Sequence, residues 1–234
     1  MKDLLTIIIP CKNEENYIHK TLYHLQLQKG IRGVRVIVAD GGSTDSTLKQ
    51  IKKFNVINTH LKVDVVSGGR VAYGRNYGAS LSITPYLLFL DADTTLISND
   101  CIYKCVDKLK GGTQLTTCKV KSTSKSLMSK LIFWKFNYIQ KYMPETFCTG
   151  QFFLIRKRDF DELGGFDETA QHSEDYLLSR KIPKSKFEIV DSWIGQDDRR
   201  FKKMGYFNFI LLILKNYINR NKKDYFTKDV GYWL

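Results

Sequence analysis

The chain has 234 residues, 43% of them hydrophobic and 13% aromatic, and carries a formal net charge of +13. That length and apolar content support one sizeable core and exclude a chain disordered over most of its length. The charge calls for an anionic partner (nucleic acid, an anionic membrane surface or a phosphorylated substrate) and does not choose among them.

Four short apolar runs, "LLTIII" (4–9), "VRVIVA" (34–39), "LKVDVV" (61–66) and "YLLFL" (86–90), are predicted strands. Between the first two, "EENYIHKTLYHLQLQ" places Ile18, Leu22 and Leu25 on one helical face, with Asn13 as N-cap and two glutamates in the first turn. "STDSTLKQIKKF" does the same with Leu48, Ile51 and Phe54. "GRVAYGRNYGAS" is helical in pattern yet holds interior glycines, each costing about 1 kcal/mol against Ala, so close approach of a neighbour or ligand is expected there. Arg70 and Arg75 in this stretch are candidates for a phosphate or sugar contact, or for a solvated face.

The second half is less regular. Residues 99–109 read as a helix and "TQLTTCKV" as a strand. "SLMSKLIFWKFNYIQKYM" reads as a helix with Leu127, Leu131, Trp134 and Tyr138 in register, "FCTGQFFLIR" as a strand, and "SEDYLLSRKI" as the start of a helix capped by Ser173. In the tail, Phe207, Ile210, Leu211, Leu214 and Ile218 share a helical face ahead of Arg220, Lys222 and Lys223. Such a helix suits a bilayer interface through residues 206–223, or packing on the domain or on a second subunit as a homo-oligomer. The five cysteines have neither disulfide-framework nor zinc spacing and read as free thiols of a reducing compartment. The N-terminus lacks a signal-peptide pattern, and no run approaches the ~20 apolar residues of a membrane span. The expected location is cytoplasmic, soluble or peripheral at a membrane.

Strand–helix–strand repetition with nearly continuous apolar strands predicts an α/β fold with a parallel sheet covered by helices on both faces, ending in an amphipathic helix. Ligands of such sheets bind beyond the carboxyl ends of the strands. Cys11–Glu15, Asp40–Asp45 and Asp91–Asp93 all fall there. In "FLDADT", Asp91 and Asp93 flank Ala92 directly after a buried strand, and two such carboxylates need a positive partner.

Five stretches in order, "TIIIPCKNEENYI", "VIVADGGSTDST", "GRNYGAS", "LLFLDADT" and "TGQFFLIRKRDFDELGGFDE…SEDYLLSRKI", resemble the family-2 glycosyltransferases of the GT-A fold over about residues 4–205. The resemblance implies a GT-A type α/β fold with a Rossmann-like, mixed but mostly parallel sheet flanked by helices, a nucleotide-sugar donor, a divalent cation (Mn2+ or Mg2+) at the Asp-X-Asp motif, and transfer with inversion. Asp93 is then the more direct metal ligand, with Asp91 nearer the ribose or joined to the metal through water, and the metal is the missing positive partner. Asp40 is expected to accept from the nucleobase, with uracil and hence UDP favoured; Glu14 stands near ribose or base, and Pro10 and Cys11 line that rim. Asn76 matches a position near the donor, Ala92 belongs to the donor motif, and Gly150 and Gln151 face the donor sugar. Asp175 matches the catalytic base, with Glu174 orienting it or holding sugar hydroxyls.

Two departures stand out. Gly41 occupies the place of a second acid that many members carry, and the Gln-X-X-Arg-Trp motif of processive synthases is absent, with "DDRRFKKMGY" near its place and Arg199 and Arg200 unassigned. The expectation is a single domain over 1–234, with a donor lobe (1–110), an acceptor-side lobe (111–205) and a helical tail (206–234). The expected activity is nonprocessive transfer to a glycan, lipid-linked or small-molecule hydroxyl. A nucleotidyltransferase is disfavoured by the acidic "PCKNEE" where a basic glycine-rich loop would stand. A nucleic-acid-binding role is disfavoured by the lack of any recognised module.

Overall fold

The computed structural model describes residues 1–228; the last six residues of the expected tail lie outside the described residues. In chain order the elements are β1 (Leu5–Cys11), α1 (Ile18–Gln26), β2 (Arg35–Asp40), α2 (Thr47–Ile57), β3 (Lys62–Ser67), α3 (Val71–Ser80) and β4 (Tyr86–Leu90). There follow β5 (Thr95–Leu96), α4 (Cys101–Lys110), β6 (Leu115–Ser122), α5 (Leu127–Tyr142), β7 (Phe152–Arg156), α6 (Lys157–Glu162) and α7 (Glu174–Ser179). The chain continues through β8 (Phe187–Gln196), α8 (Arg199–Met204), α9 (Tyr206–Ile218) and α10 (Lys223–Phe226).

The strands form one sheet in the order β3-β2-β1-β4-β7-β6-β8-β5. The first four run parallel. β7 lies antiparallel between β4 and β6, while β6 and β8 are parallel. Successive residues of β1 feed opposite faces: Ile7 and Ile9 join Ile18, Leu22, Leu25, Ile51 and Phe54, whereas Ile8 joins Leu87, Phe89 and Phe153 beside α3. This alternation is what a strand buried on both sides requires. The interior glycines of α3 allow that helix to lie close on β1, since a Cβ at Gly78 would stand 2.6 Å from Ile8.

Several local expectations change. Asn13 is not an N-cap: it sits at φ +54°, and α1 begins only after Tyr17. Residues 13–15 are instead laced to the loop after β2: Asn13 N–H donates to Ser43 Oγ, Glu14 N–H to Thr47 Oγ1 (2.7 Å) and Ser46 N–H to Glu15 Oε2. Their hydrogen bonds are spent across the sheet edge, so the helix starts late. Leu48 is exposed, and Thr47 completes the buried face of α2 with Ile51 and Phe54. β3 is an edge strand with Val65 in solvent, so the sheet is not covered at that margin. In α5 the stripe of Leu127, Leu131, Trp134 and Tyr138 faces solvent, while Ser129, Phe133 and Gln140 are buried. The tail helix α9 buries no residue fully, and its polar residues are only Asn208, Lys215 and Asn216. Apolar side chains therefore surround most of it, rather than dividing it into two faces.

Candidate active site

The carboxyl ends of the parallel strands and the start of β7 share one sheet edge, with Cys11 beside Asp40 and Leu90 beside Phe152 in register. At its β2 end, Asp40 folds back on its own turn, accepting from Gly42 N–H (3.2 Å), Ser43 N–H (3.1 Å) and Ser43 Oγ (2.5 Å). The glycine that replaces a second acid has a steric reason: a Cβ on Gly41 would meet the Gly69 carbonyl oxygen at 2.7 Å. Pro10 and Cys11 end β1 in the interior, and burial followed by Glu14 pushes the Cys11 thiol well up. All five cysteines are free and buried.

The acid turn after β4 is fixed from three sides. Ala92 is buried and its carbonyl accepts from Thr21 Oγ1 at 2.7 Å. Thr94 Oγ1 donates to the Gln151 carbonyl at 3.1 Å. β5 then pairs with the end of β8, which brings the start of α8 against the turn. Two guanidiniums meet the two aspartates. Arg75, from α3, donates to Asp91 Oδ1 (2.7 Å) and to Glu174 Oε1 (2.5 Å). Arg199 donates through one nitrogen to Asp93 Oδ2 (2.8 Å) and Glu14 Oε1 (2.5 Å), and lies 4.5 Å over the Tyr17 ring.

Arg75 is almost wholly buried, and the carboxylates around it offset the cost of taking its charge out of water. Burial works against the guanidinium, but Asp91, Glu174 and Asp175 outweigh it and its pKa is raised. Burial likewise raises the carboxyls of Asp91 and Glu14, against the lowering pull of Arg75 and Arg199 respectively. Gly150 is required beside this cluster, because a Cβ there would overlap the Arg75 guanidinium.

Asp175 is placed by two backbone donors: Gly150 N–H reaches Oδ2 and Tyr176 N–H reaches Oδ1, each at 2.7 Å. Burial, then the charge of Glu174, raises its carboxyl to about 7, overcoming Arg75 and these two donors. Ser173 does not cap α7 with its side chain: it sits at φ +59°, and its Oγ bonds His172 Nδ1 and Asn216 Nδ2. His172 is buried against the rings of Tyr225 and Phe226.

The edge thus gathers Glu14, Asp91, Asp93, Gly150, Gln151, Glu174 and Asp175, with Arg75 and Arg199 between them. Arg70 lies exposed at the start of α3, outside this network. Asn76 turns away from it: its amide holds Phe166 N–H and C=O (2.9 Å each) and Glu168 (2.8 Å), pinning the 165–168 turn to α3. Arg199, left without a role by the sequence, and Tyr17 are the additions. The only sequence signal for Arg199 is the basic pair after two aspartates, which carries no periodicity, and Tyr17 has none.

Among the described residues no group of three or more His, Cys, Asp or Glu is arranged to hold a metal unaided. The donors at hand are nevertheless of the right kind for a hard divalent ion. Asp91 and Asp93 stand in one turn, and Glu14 Oε2 is buried there with no hydrogen-bond partner. Mg2+ and similar ions take one or two protein carboxylates and fill the remaining positions with phosphate oxygens and water. These residues fit such an ion.

The succinoglycan biosynthesis protein ExoA of Rhizobium meliloti is 24% identical over 199 residues, covering 78% of this chain and 59% of its own length. The chain thus spans under two thirds of that relative. Among solved structures, S. aureus TarS 1-349 in complex with UDP superposes with a TM-score of 0.63 at 18% identity, over 83% of this chain and 60% of that one. The mannosyltransferase PcManGT from Pyrobaculum calidifontis, in complex with GDP-Man and Mn2+, superposes at 0.64 with 19% identity, over 82% and 56%. The common architecture is the GT-A fold. Residues 6–164, which carry β1 through β7 and both acid turns, match the family described as glycosyl transferase family 2, and the chain belongs to that family.

Proposed function

We propose that the protein transfers a sugar, with inversion and one residue at a time, from a nucleotide-sugar donor to an acceptor hydroxyl on a glycan, a lipid-linked carrier or a small molecule. A UDP-sugar is the favoured donor. The observation that carries the reading is Arg75, which joins Asp91 of the donor-side turn to Glu174 beside Asp175. One buried cation therefore fixes the distance between the acids suited to a diphosphate and the acid suited to an attacking alcohol.

Asp93 and Asp91 are the residues that would hold a divalent ion, with the donor's phosphate oxygens and water completing its shell. Bound there, the ion would offset charge developing on the departing diphosphate. Asp175 takes the proton of the acceptor hydroxyl as its oxygen bonds to the anomeric carbon and the bond from that carbon to the phosphate oxygen breaks. A carboxyl raised to about 7 is matched to this task near neutral pH, where a base contributes typically 10²–10⁴-fold. The Gly150 and Tyr176 N–H groups keep its lone pairs aimed, and Arg75 keeps Glu174 from crowding it with uncompensated charge. The UDP complex of TarS and the GDP-Man and Mn2+ complex of PcManGT support the donor class and the cation.

Incubation with a panel of nucleotide sugars and Mn2+, reading free nucleoside diphosphate, tests the proposal. Release is expected for a UDP-sugar and is expected to be lost in Asp93→Ala. Unchanged metal dependence in that variant, or no release from any donor, sinks it.

A further inference from the structure

Residues 121–143 and 199–223 together contain thirteen of the thirty-seven basic residues and none of the twenty-four acidic ones. The remaining twenty-four basic residues are balanced by twenty-four acidic ones, so these two segments account for the whole net charge of +13. The fold lays them side by side. Tyr206, at the start of α9, hydrogen-bonds Ser126 Oγ at the start of α5 (3.1 Å). Arg220, just past the end of α9, donates to Glu145 just past the end of α5 (2.9 Å). Between them Phe201 joins the two helices, its ring 5.2 Å from Phe133 and 4.4 Å from Phe209.

Both helices leave apolar side chains in solvent. Leu127 is 81% exposed and Trp134 64% on α5, while Phe207 and Ile218 are each 71% exposed on α9. Trp134, Tyr138 and Tyr142 form a ladder along α5, with ring centroids 6.4 and 4.6 Å apart. Around them Lys125, Lys130, Lys135, Lys141, Lys203, Lys215 and Lys222 are exposed. Arg199 and Lys202, by contrast, are engaged with Asp93 and Asp198.

We infer that the α5–α9 face docks on the surface of an anionic lipid bilayer. Lysines at headgroup level, aromatic rings at the interface and aliphatic side chains below it are the layers of such a contact. A second copy of the chain is a poor occupant, because a two-fold contact would oppose two acid-free basic faces. Nucleic acid would satisfy the lysines and leave the leucine, isoleucine and phenylalanine side chains without apolar partners. Among the described residues no helix is long and apolar enough to cross a membrane, so the contact is with the surface. Asn216 of α9 bonds Ser173, the residue before Glu174 and Asp175. Granted the proposed transferase reading, docking would set the acceptor side of the site at the lipid surface.

The test is co-sedimentation of the full chain with phosphatidylcholine vesicles, with and without about 30% phosphatidylglycerol, across a salt series. Binding is expected to need the anionic lipid and to weaken as salt rises. Trp134→Ser combined with Phe207→Ser is expected to lower partitioning about tenfold or more, with circular dichroism unchanged because both side chains stand in solvent. Ile83→Ser, 99% exposed at the opposite ends of the strands, is the control and is expected to bind as the parent does. No sedimentation with anionic vesicles, or binding indifferent to the double substitution, overturns the inference. So does a dimer in analytical ultracentrifugation that the double substitution dissolves. None of these readouts uses sugar transfer, so failure of docking and failure of the transferase reading are separable.

Discussion

Asp175→Asn separates a half-buried, proton-holding carboxyl from an ordinary one by its effect on stability as pH changes. In the folded protein burial and the neighbouring Glu174 charge raise the Asp175 carboxyl to about 7, from an ordinary 3.8. Between those values the native state keeps a proton that the unfolded chain releases, so this group makes the parent less stable as pH rises. The slope is up to about 1.4 kcal/mol per pH unit, for a total of about 4 kcal/mol over the interval. Water reaching the half-buried side chain trims this to roughly 2–3 kcal/mol. Asparagine cannot ionise, but its amide nitrogen faces one of the two N–H donors of Gly150 and Tyr176, a loss of about 1 kcal/mol. Urea denaturation from pH 4 to 8 should therefore show the variant about 1 kcal/mol less stable at the acid end. The curves should cross near pH 5, and the variant's advantage should grow from there and level off above pH 7. Transfer should fall by about 10²–10⁴, and parental activity should rise with pH through about 7. A stability difference flat across that range would refute the argument, since it would mean that Asp175 is ionised and ordinarily placed in the folded protein.

Arg75→Met leaves buried Glu174 and half-buried Asp91 without a cation and should cost about 3 kcal/mol in urea denaturation at pH 7. Gly78→Ala sets a methyl group 2.6 Å from Ile8 and should cost about 1–3 kcal/mol, a melting point lower by roughly 2–10 °C. Gly41→Asp supplies the second acid of the family pattern but meets the Gly69 carbonyl, and should also lower the melting point by roughly 2–10 °C.

The centre of the parallel half was legible because β1, β2 and β4 are nearly continuous apolar runs buried on both faces, with acids at or just beyond their carboxyl ends, whereas β3 at the margin is half polar and largely exposed. The acids themselves could be placed at one edge for the same reason. What periodicity could not convey was how loops spend their hydrogen bonds. The stretch from Asn13 to Glu15 has every local mark of a helix start, yet its partners lie some thirty residues on, in the loop that Asp40 begins. Trp134 and Tyr138 fall at helical spacing, but spacing does not say which face meets the core, and here it is the face of Ser129 and Phe133. Arg75 was visible as a candidate contact, not as a cation lodged between residues 16 and 99 positions away. Arg199 was harder still, because only β5 crossing to β8 carries it to Asp93.

The lodging of Arg75 also limits how the chain can be recombined. Engineers who would exchange acceptor specificity by grafting a foreign second half after α4 would inherit a guanidinium from α3 that has lost Glu174. Any donor of that half must bring a carboxylate to the same spot, and a glycine at the position of Gly150, before its own loops can be tried.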